Sequence, residues 1–242
     1  MARRRFLGML TPSSNTILEP VTSAMVADLP GTSAHFARFS VTEISLRRTA
    51  LGQFDAEPIL SAARLLADAR VDVIAWNGTS AGWLGFQRDE ELCRQIQEAT
   101  DIPATTSVLA LNEILRRTRV ERFGLVTPYL DEVQSLILEN YQQAGFQCVA
   151  ERHLNDPGNF SFSEIDADTI AGMVREVAPA GPQAIATFCT NMRAAPLVEA
   201  LETEIGIPIY DTISVVVWQS LKLAGVDPRE LTGWGRLFRE LD

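Results

Sequence analysis

The chain has 242 residues, 46% of them hydrophobic, with mean hydropathy +0.05, enough for one large α/β domain or two small ones. A formal net charge of −10, with Arg3-Arg4-Arg5 as the basic run, lacks the footprint of a nucleic-acid binder. Without an apolar run of 18 residues or an N-terminal hydrophobic region, neither a membrane span nor a signal peptide is expected. Three cysteines without CxxC spacing and two histidines outside any motif argue against a disulfide framework or a zinc site, and point to a reducing cytoplasm.

In chain order, short β-rich apolar runs alternate with helical periodicity, the pattern of a parallel α/β protein. Strands are expected at 6–10, 35–41, 71–76 and 104–106. Helices are expected at 57–69, where Ile59, Leu60, Ala63, Leu66 and Ala67 share a face, and at 88–99 and 108–117. A boundary at 116–121 separates residues 1–118 from 119–242. The second part runs through the same order, with strands at 123–126, 147–152, 184–188 and 209–210. Its helices fall at 130–144, 167–177, 194–205 and 214–224.

The two parts match locally as an internal repeat. Phe6-Leu7-Gly8-Met9-Leu10-Thr11-Pro12 answers Arg122-Phe123-Gly124-Leu125-Val126-Thr127-Pro128, and Asp101-Ile102-Pro103 answers Gly206-Ile207-Pro208. Asn77-Gly78-Thr79 answers Phe188-Cys189-Thr190. The expected fold is therefore two pseudo-symmetric Rossmann-like (flavodoxin-like) halves with parallel sheets. Ligands of open parallel sheets bind beyond the strand C-termini, so the active site is expected in the cleft between the halves.

The polar turns at those strand ends supply the candidate residues. Cys189 closes an apolar run and precedes the helix expected at 194–205, whose N-terminus would favour a thiolate. Its bland alternative is a small core residue. Thr190 and Asn191 follow it directly. Gly78-Thr79-Ser80 offers backbone NH groups and two hydroxyls to an oxyanion, or serves only as a strand–helix turn. Pro12-Ser13-Ser14-Asn15 has several donors and no acid, as an anion cradle would, and would equally suit helix capping. Tyr129 could donate its hydroxyl to the same anion. Asn159 is a ligand contact or a turn residue. His35 and His153 read as surface or strand-edge residues, and Cys93 and Cys148 as packing. Neither a P-loop nor a GxGxxG fingerprint occurs.

Over residues 8–238 these motifs resemble the aspartate/glutamate racemase superfamily, closest to its maleate cis-trans isomerase and arylmalonate decarboxylase branch. The resemblance implies a cofactor-independent enzyme acting on a small carboxylate or dicarboxylate, with a homo-oligomer left open. Pro12-Ser13-Ser14-Asn15 and Asn159 look like the carboxylate-binding positions of the maleate isomerases. Gly78-Thr79-Ser80 looks like the dioxyanion turn of the decarboxylase, and Gly233-Trp234-Gly235-Arg236-Leu237-Phe238 is similar to its C-terminus. Tyr129 and Cys189 match positions used in both groups.

Superfamily racemases carry one cysteine per half, and maleate isomerases use a first-half cysteine as nucleophile. Here Asn77-Gly78-Thr79 stands at that place. The reading that survives is decarboxylation of a malonate-type acid. Thr79, Ser80, Tyr129 and the backbone near Thr190 would hold the enediolate, and Cys189 would protonate one face. The runner-up is an isomerase or racemase using Thr79 or Asp211 as second group, and the third is a non-catalytic dicarboxylate binder. The half-site alignment further predicts that Gly78→Cys creates racemase-like exchange. The walls contributed by residues 41–56 are not derivable from sequence.

Overall fold

The computed structural model describes residues 3–41 and 56–241. Its first half runs β1 (Arg5–Pro12), α1 (Leu18–Val26), β2 (Thr32–Phe39), α2 (Ala56–Asp68), β3 (Val73–Trp76), α3 (Ala81–Leu84), α4 (Gln87–Thr100), β4 (Ala104–Thr106) and α5 (Ser107–Arg117). The second runs β5 (Arg122–Thr127), α6 (Asp131–Gln143), β6 (Gln147–His153), α7 (Ala167–Val177), β7 (Ala184–Thr187), α8 (Val198–Ile205), β8 (Ile209–Asp211), α9 (Thr212–Leu223) and α10 (Arg236–Glu240).

The strands form two four-stranded parallel sheets, ordered β2-β1-β3-β4 and β6-β5-β7-β8. Consecutive strands cannot turn back on themselves in a parallel sheet, so a helix fills each crossover. The central strands, covered on both faces, are continuous buried runs rather than alternating ones: Val73–Trp76 and Ala184–Thr187 are buried throughout.

The register makes the repeat explicit. Leu10 pairs with Trp76, and Trp76 with Thr106. In the second sheet Val126 pairs with Thr187, and Thr187 with Asp211. Position 76 therefore corresponds to 187, and two residues on, Gly78 corresponds to Cys189.

Three short helices, α1, α3 and α10, are not among those expected, and one expected helix begins later. Helix α1 carries Pro20 at its third helical residue, where a proline forfeits only a first-turn NH that has no partner in any helix. The helix expected at 194–205 is instead a 3₁₀ turn at Ala195–Leu197, holding Pro196, followed by α8 from Val198.

The Arg3 and Arg5 guanidiniums reach the Asp72 carboxylate at 2.9 and 3.3 Å, and Asp72 also accepts from the Phe6 NH, so these arginines fasten the start of β1. His35 lies on edge strand β2 and bonds Ser33. His153 ends edge strand β6 between Asp131 and Glu151.

The halves join face to face. Helix α5 packs against α9, which also touches β3 and β4 of the first sheet, and α3 packs against α6. Among the described residues no helix is long and apolar enough to cross a membrane.

Candidate active site

The strand C-termini of both sheets open onto one cleft. From the first half it is lined by Pro12, Asn15, Gly78, Thr79 and Ser80, and from the second by Tyr129, Asn159, Cys189, Thr190 and Asn191. Val41, Trp76 and Trp83 complete the described wall; residues 42–55 of the segment 41–56 lie outside the described residues.

Ser13 and Ser14, expected in the same cradle, do not line the cleft. Both hydroxyls donate to the Val41 carbonyl, at 3.3 and 2.7 Å, and the Ser13 hydroxyl accepts from the Val41 NH at 3.1 Å. They staple the turn after β1 to the chain after β2, so the cradle is narrower than the sequence suggests. Asn15 has the two roles its position allowed. Its Oδ1 accepts from the NH groups of Ile17 and Leu18 at 3.0 and 2.9 Å, capping α1, and its Nδ2 crosses the cleft to the Thr190 hydroxyl at 3.1 Å.

Four further bonds lock the turn after Cys189 in place. The Thr190 hydroxyl donates to the Asn77 carbonyl at 3.0 Å, so its donor and an acceptor site are both used between the halves. The Asn191 Oδ1 accepts from the Thr16 NH at 2.9 Å, and its Nδ2 donates to the Asn159 carbonyl at 2.6 Å. The Asn159 Nδ2 donates to the Ser14 hydroxyl at 2.8 Å. Buried polar groups left without partners are expensive, so this bonding fixes the backbone around Cys189 against the opposite half.

Tyr129 follows the Thr127-Pro128 turn and lies in a bed of rings. Trp83 and Phe162 contact it edge-on at centroid distances of 5.4 and 5.6 Å. Its hydroxyl and that of Thr79 are 2.6 Å apart, one donor from each half. Burial pushes the Tyr129 phenol well above its ordinary range, reinforced by the charge Cys189 would carry, so it stays protonated.

The same physics works against the thiolate expected at Cys189. Burial pushes this thiol up to about 12, outweighing the opposing hydrogen bonds from Tyr129 and the NH groups of Asn191 and Met192. Because α8 begins only at Val198, the helix N-terminus expected beside the sulfur is nine residues further along the chain. Burial thus favours the protonated thiol at Cys189. Cys93 and Cys148 are both half-buried; Cys93 lies on α4, and on β6 the Cys148 thiol donates to the Ala150 carbonyl at 3.2 Å.

Sequence reasoning missed Trp76 and Trp83. Trp76 had a signal: on a strand, residues i and i+2 point to one side, so an indole two residues before Gly78 shares its face.

The arylmalonate decarboxylase family model matches residues 14–238. The maleate isomerase of Pseudomonas putida is 27% identical over 236 residues, covering 92% of each chain. The arylmalonate decarboxylase of Bordetella bronchiseptica is 25% identical over 239 residues, covering 97% of this chain and 96% of that one. Among solved structures, a Cys-to-Ser variant of the Nocardia farcinica maleate cis-trans isomerase with a covalently bound succinylcysteine intermediate is 25% identical. It superposes with a TM-score of 0.88 over 98% of this chain and 99% of that one. A crystal structure of arylmalonate decarboxylase superposes with a TM-score of 0.79 at 23% identity, over 98% of this chain and 100% of the other, and attests the fold.

Proposed function

We propose, from the premise that this chain belongs to the arylmalonate decarboxylase family, that it is a cofactor-independent lyase removing CO2 from a malonate-type or related dicarboxylic acid. The observation that carries this reading is the single, neutral thiol of the cleft, with glycine at the equivalent position of the other half. A covalent cysteine adduct in a relative that has lost one cysteine to serine requires a further cysteine in that enzyme. Here the other two cysteines lie away from the cleft, so a two-thiol cycle has no second member.

In the proposed reaction one carboxylate sits against the apolar wall of Trp76, Trp83 and Val41, where its charge is poorly solvated. The bond from Cα to that carboxylate breaks, CO2 leaves, and the electron pair delocalises into the remaining carboxylate as an enediolate. Tyr129 and the hydroxyls of Thr79 and Ser80 turn their protons to its two oxygens, where charge develops, the Thr79–Tyr129 bond giving way to bonds with the substrate. The Cys189 thiol then transfers its proton to Cα, and the resulting thiolate recovers one from solvent. A thiol held up at about 12 suits this order of events, because it stays protonated until a carbanion-like base is beside it. The substrate is a small carboxylic acid, and no residue in the scheme needs a cofactor.

The amide-rich wall of Asn15, Asn159 and Asn191, together with the maleate isomerases among the relatives, favours a second reading as an isomerase of a small dicarboxylate. Of the two substitutes considered for a second group, Asp211 does not line the described cleft. Its carboxylate accepts from Thr187 and from the NH groups of Ile213 and Ser214. Thr79 does line the cleft, but an alcohol is a much weaker base than a thiolate for taking up an α-proton.

One experiment separates the readings: incubation in D2O with a panel of substituted malonates, maleate and amino dicarboxylates. CO2 release with one deuterium on one face of the product supports the lyase. Cis–trans conversion or racemisation without CO2 removes it in favour of the isomerase.

A further inference from the structure

Gly78 has a negative or extended φ, so its backbone does not demand glycine. What excludes a side chain there is Trp76. A Cβ built on Gly78 would lie 1.9 Å from the indole Cζ2, 2.4 Å from Cε2 and 2.5 Å from Cη2. The ring cannot easily yield. It is 1% exposed, and Phe39 at the end of β2 packs against it at a centroid distance of 5.0 Å. In a close-packed interior such an overlap needs concerted movement of several groups. The equivalent pair in the second half has the opposite volumes: Thr187 is small where Trp76 is large, and Cys189 carries the side chain that Gly78 lacks. Trp76 also lines the cleft together with Gly78 and Cys189.

We propose that Trp76 is the specificity-determining residue that makes this site one-sided: its indole occupies the space of a first-half acid–base side chain and walls the face of the reacting carbon opposite Cys189. The inference rests on the lyase reading for its stereochemical part and on packing alone for its steric part. It also revises the expectation that Gly78→Cys by itself creates racemase-like exchange, because the new Cβ would fall inside the ring of Trp76. A second thiol becomes usable only when the indole is withdrawn. With both thiols in place, one would remove the α-proton as thiolate and the other would deliver its proton to the opposite face, so the carbon inverts with no net gain or loss of protons.

The test compares Gly78→Cys, Trp76→Leu and Trp76→Ala singly and the two tryptophan variants each combined with Gly78→Cys. Stereochemistry is read from the deuterium position and enantiomeric excess of the decarboxylation product, and stability from thermal unfolding. Access to the new thiol is read by alkylation and mass spectrometry. With wild-type tryptophan, Gly78→Cys lowers the melting temperature by about 5 °C or more; in the Trp76→Leu or Trp76→Ala background the same change is neutral or stabilising. Trp76→Ala lowers the enantiomeric excess by admitting water to the second face. The double variants exchange the α-proton of the product with inversion at least about tenfold faster than Gly78→Cys alone. Leucine keeps an apolar filler, so it preserves the comparison if alanine unfolds the chain. Equal destabilisation by Gly78→Cys in all backgrounds, or full exchange by Gly78→Cys alone, overturns the proposal. If the wild type releases no CO2 from any malonate, the lyase reading fails by itself, and the melting and alkylation comparison still decides the role of Trp76.

Discussion

The strand end of β3 and that of β7 occupy equivalent places in two copies of one fold, yet their side chains divide the available volume in opposite ways. The first half spends it at position 76 and leaves 78 bare; the second keeps 187 small and places a thiol at 189. Pseudo-symmetry thus makes the two strand ends equivalent, and local packing decides which of them carries a thiol. The same division runs through the other donors. Thr79 comes from the first half and Tyr129 from the second, and they meet across the cleft at 2.6 Å.

The comparison is broken most directly at its single thiol. Cys189→Ser replaces the proton donor by a poorer acid of similar size and is expected to cut turnover about 10³-fold or more, with little change in melting temperature. Turnover near that of the wild type would place the proton donor elsewhere. Tyr129→Phe tests the facing donor. Loss of one donor aimed at developing charge is expected to cost about 10²–10³ in kcat with a smaller change in KM. A rise in KM with kcat intact would mean that Tyr129 only binds the ground state.

Much of this was legible in the sequence. Thr11-Pro12 and Thr127-Pro128 mark equivalent strand ends, and the match of Asn77-Gly78-Thr79 to Phe188-Cys189-Thr190 survives as hydrogen-bond register. What was not legible depends on distance and burial. The Ser13 and Ser14 hydroxyls look available in a polar turn, but Val41 takes them after a strand-length excursion of the chain. The charge state of Cys189 depends on how completely the two halves exclude water, which local sequence does not encode. The meaning of Gly78 lies in a ring two residues away that the sequence shows only as another buried aromatic.

A gentler way to sharpen the comparison is to loosen the contact between the halves. Thr190→Val removes the hydroxyl that ties the Cys189 turn to Asn77 and Asn15 while keeping its shape. It leaves a buried carbonyl and a buried amide without that partner, which is expected to cost about 1–3 kcal/mol of stability. A turnover loss of roughly tenfold should accompany it, from misplacement of the thiol. Chemical denaturation together with kcat/KM checks both; unchanged stability would mean that water replaces the hydroxyl.

The smallest effect concerns a buried acid in each half. Asp89 on α4 is hydrogen-bonded to Thr106 at the end of β4, whereas in the second half the equivalent strand-end position is itself the acid, Asp211, bonded to Thr187. Burial pushes both carboxyls up from 3.8 to about 7, against the hydrogen bonds they accept. Since the folded state then holds protons that the unfolded state has released, the stabilisation is complete below about pH 4 and is lost as pH rises from there through about 7. At His153, burial pulls the imidazole down but the flanking Asp131 and Glu151 carboxylates raise it overall, and burial raises the Glu202 carboxyl; both give a trend of the same sign, so the aspartates must be isolated by substitution. Melting temperature should fall by several degrees between pH 5 and pH 7.5 in the wild type. The slope should flatten in Asp89→Asn and in Asp211→Asn, the latter keeping an oxygen to accept from the NH groups of Ile213 and Ser214 at the start of α9. If only one substitution flattens it, the halves differ in their buried acids as they do in their thiols; if neither does, both carboxyls are ionised in the folded chain and the burial argument is wrong.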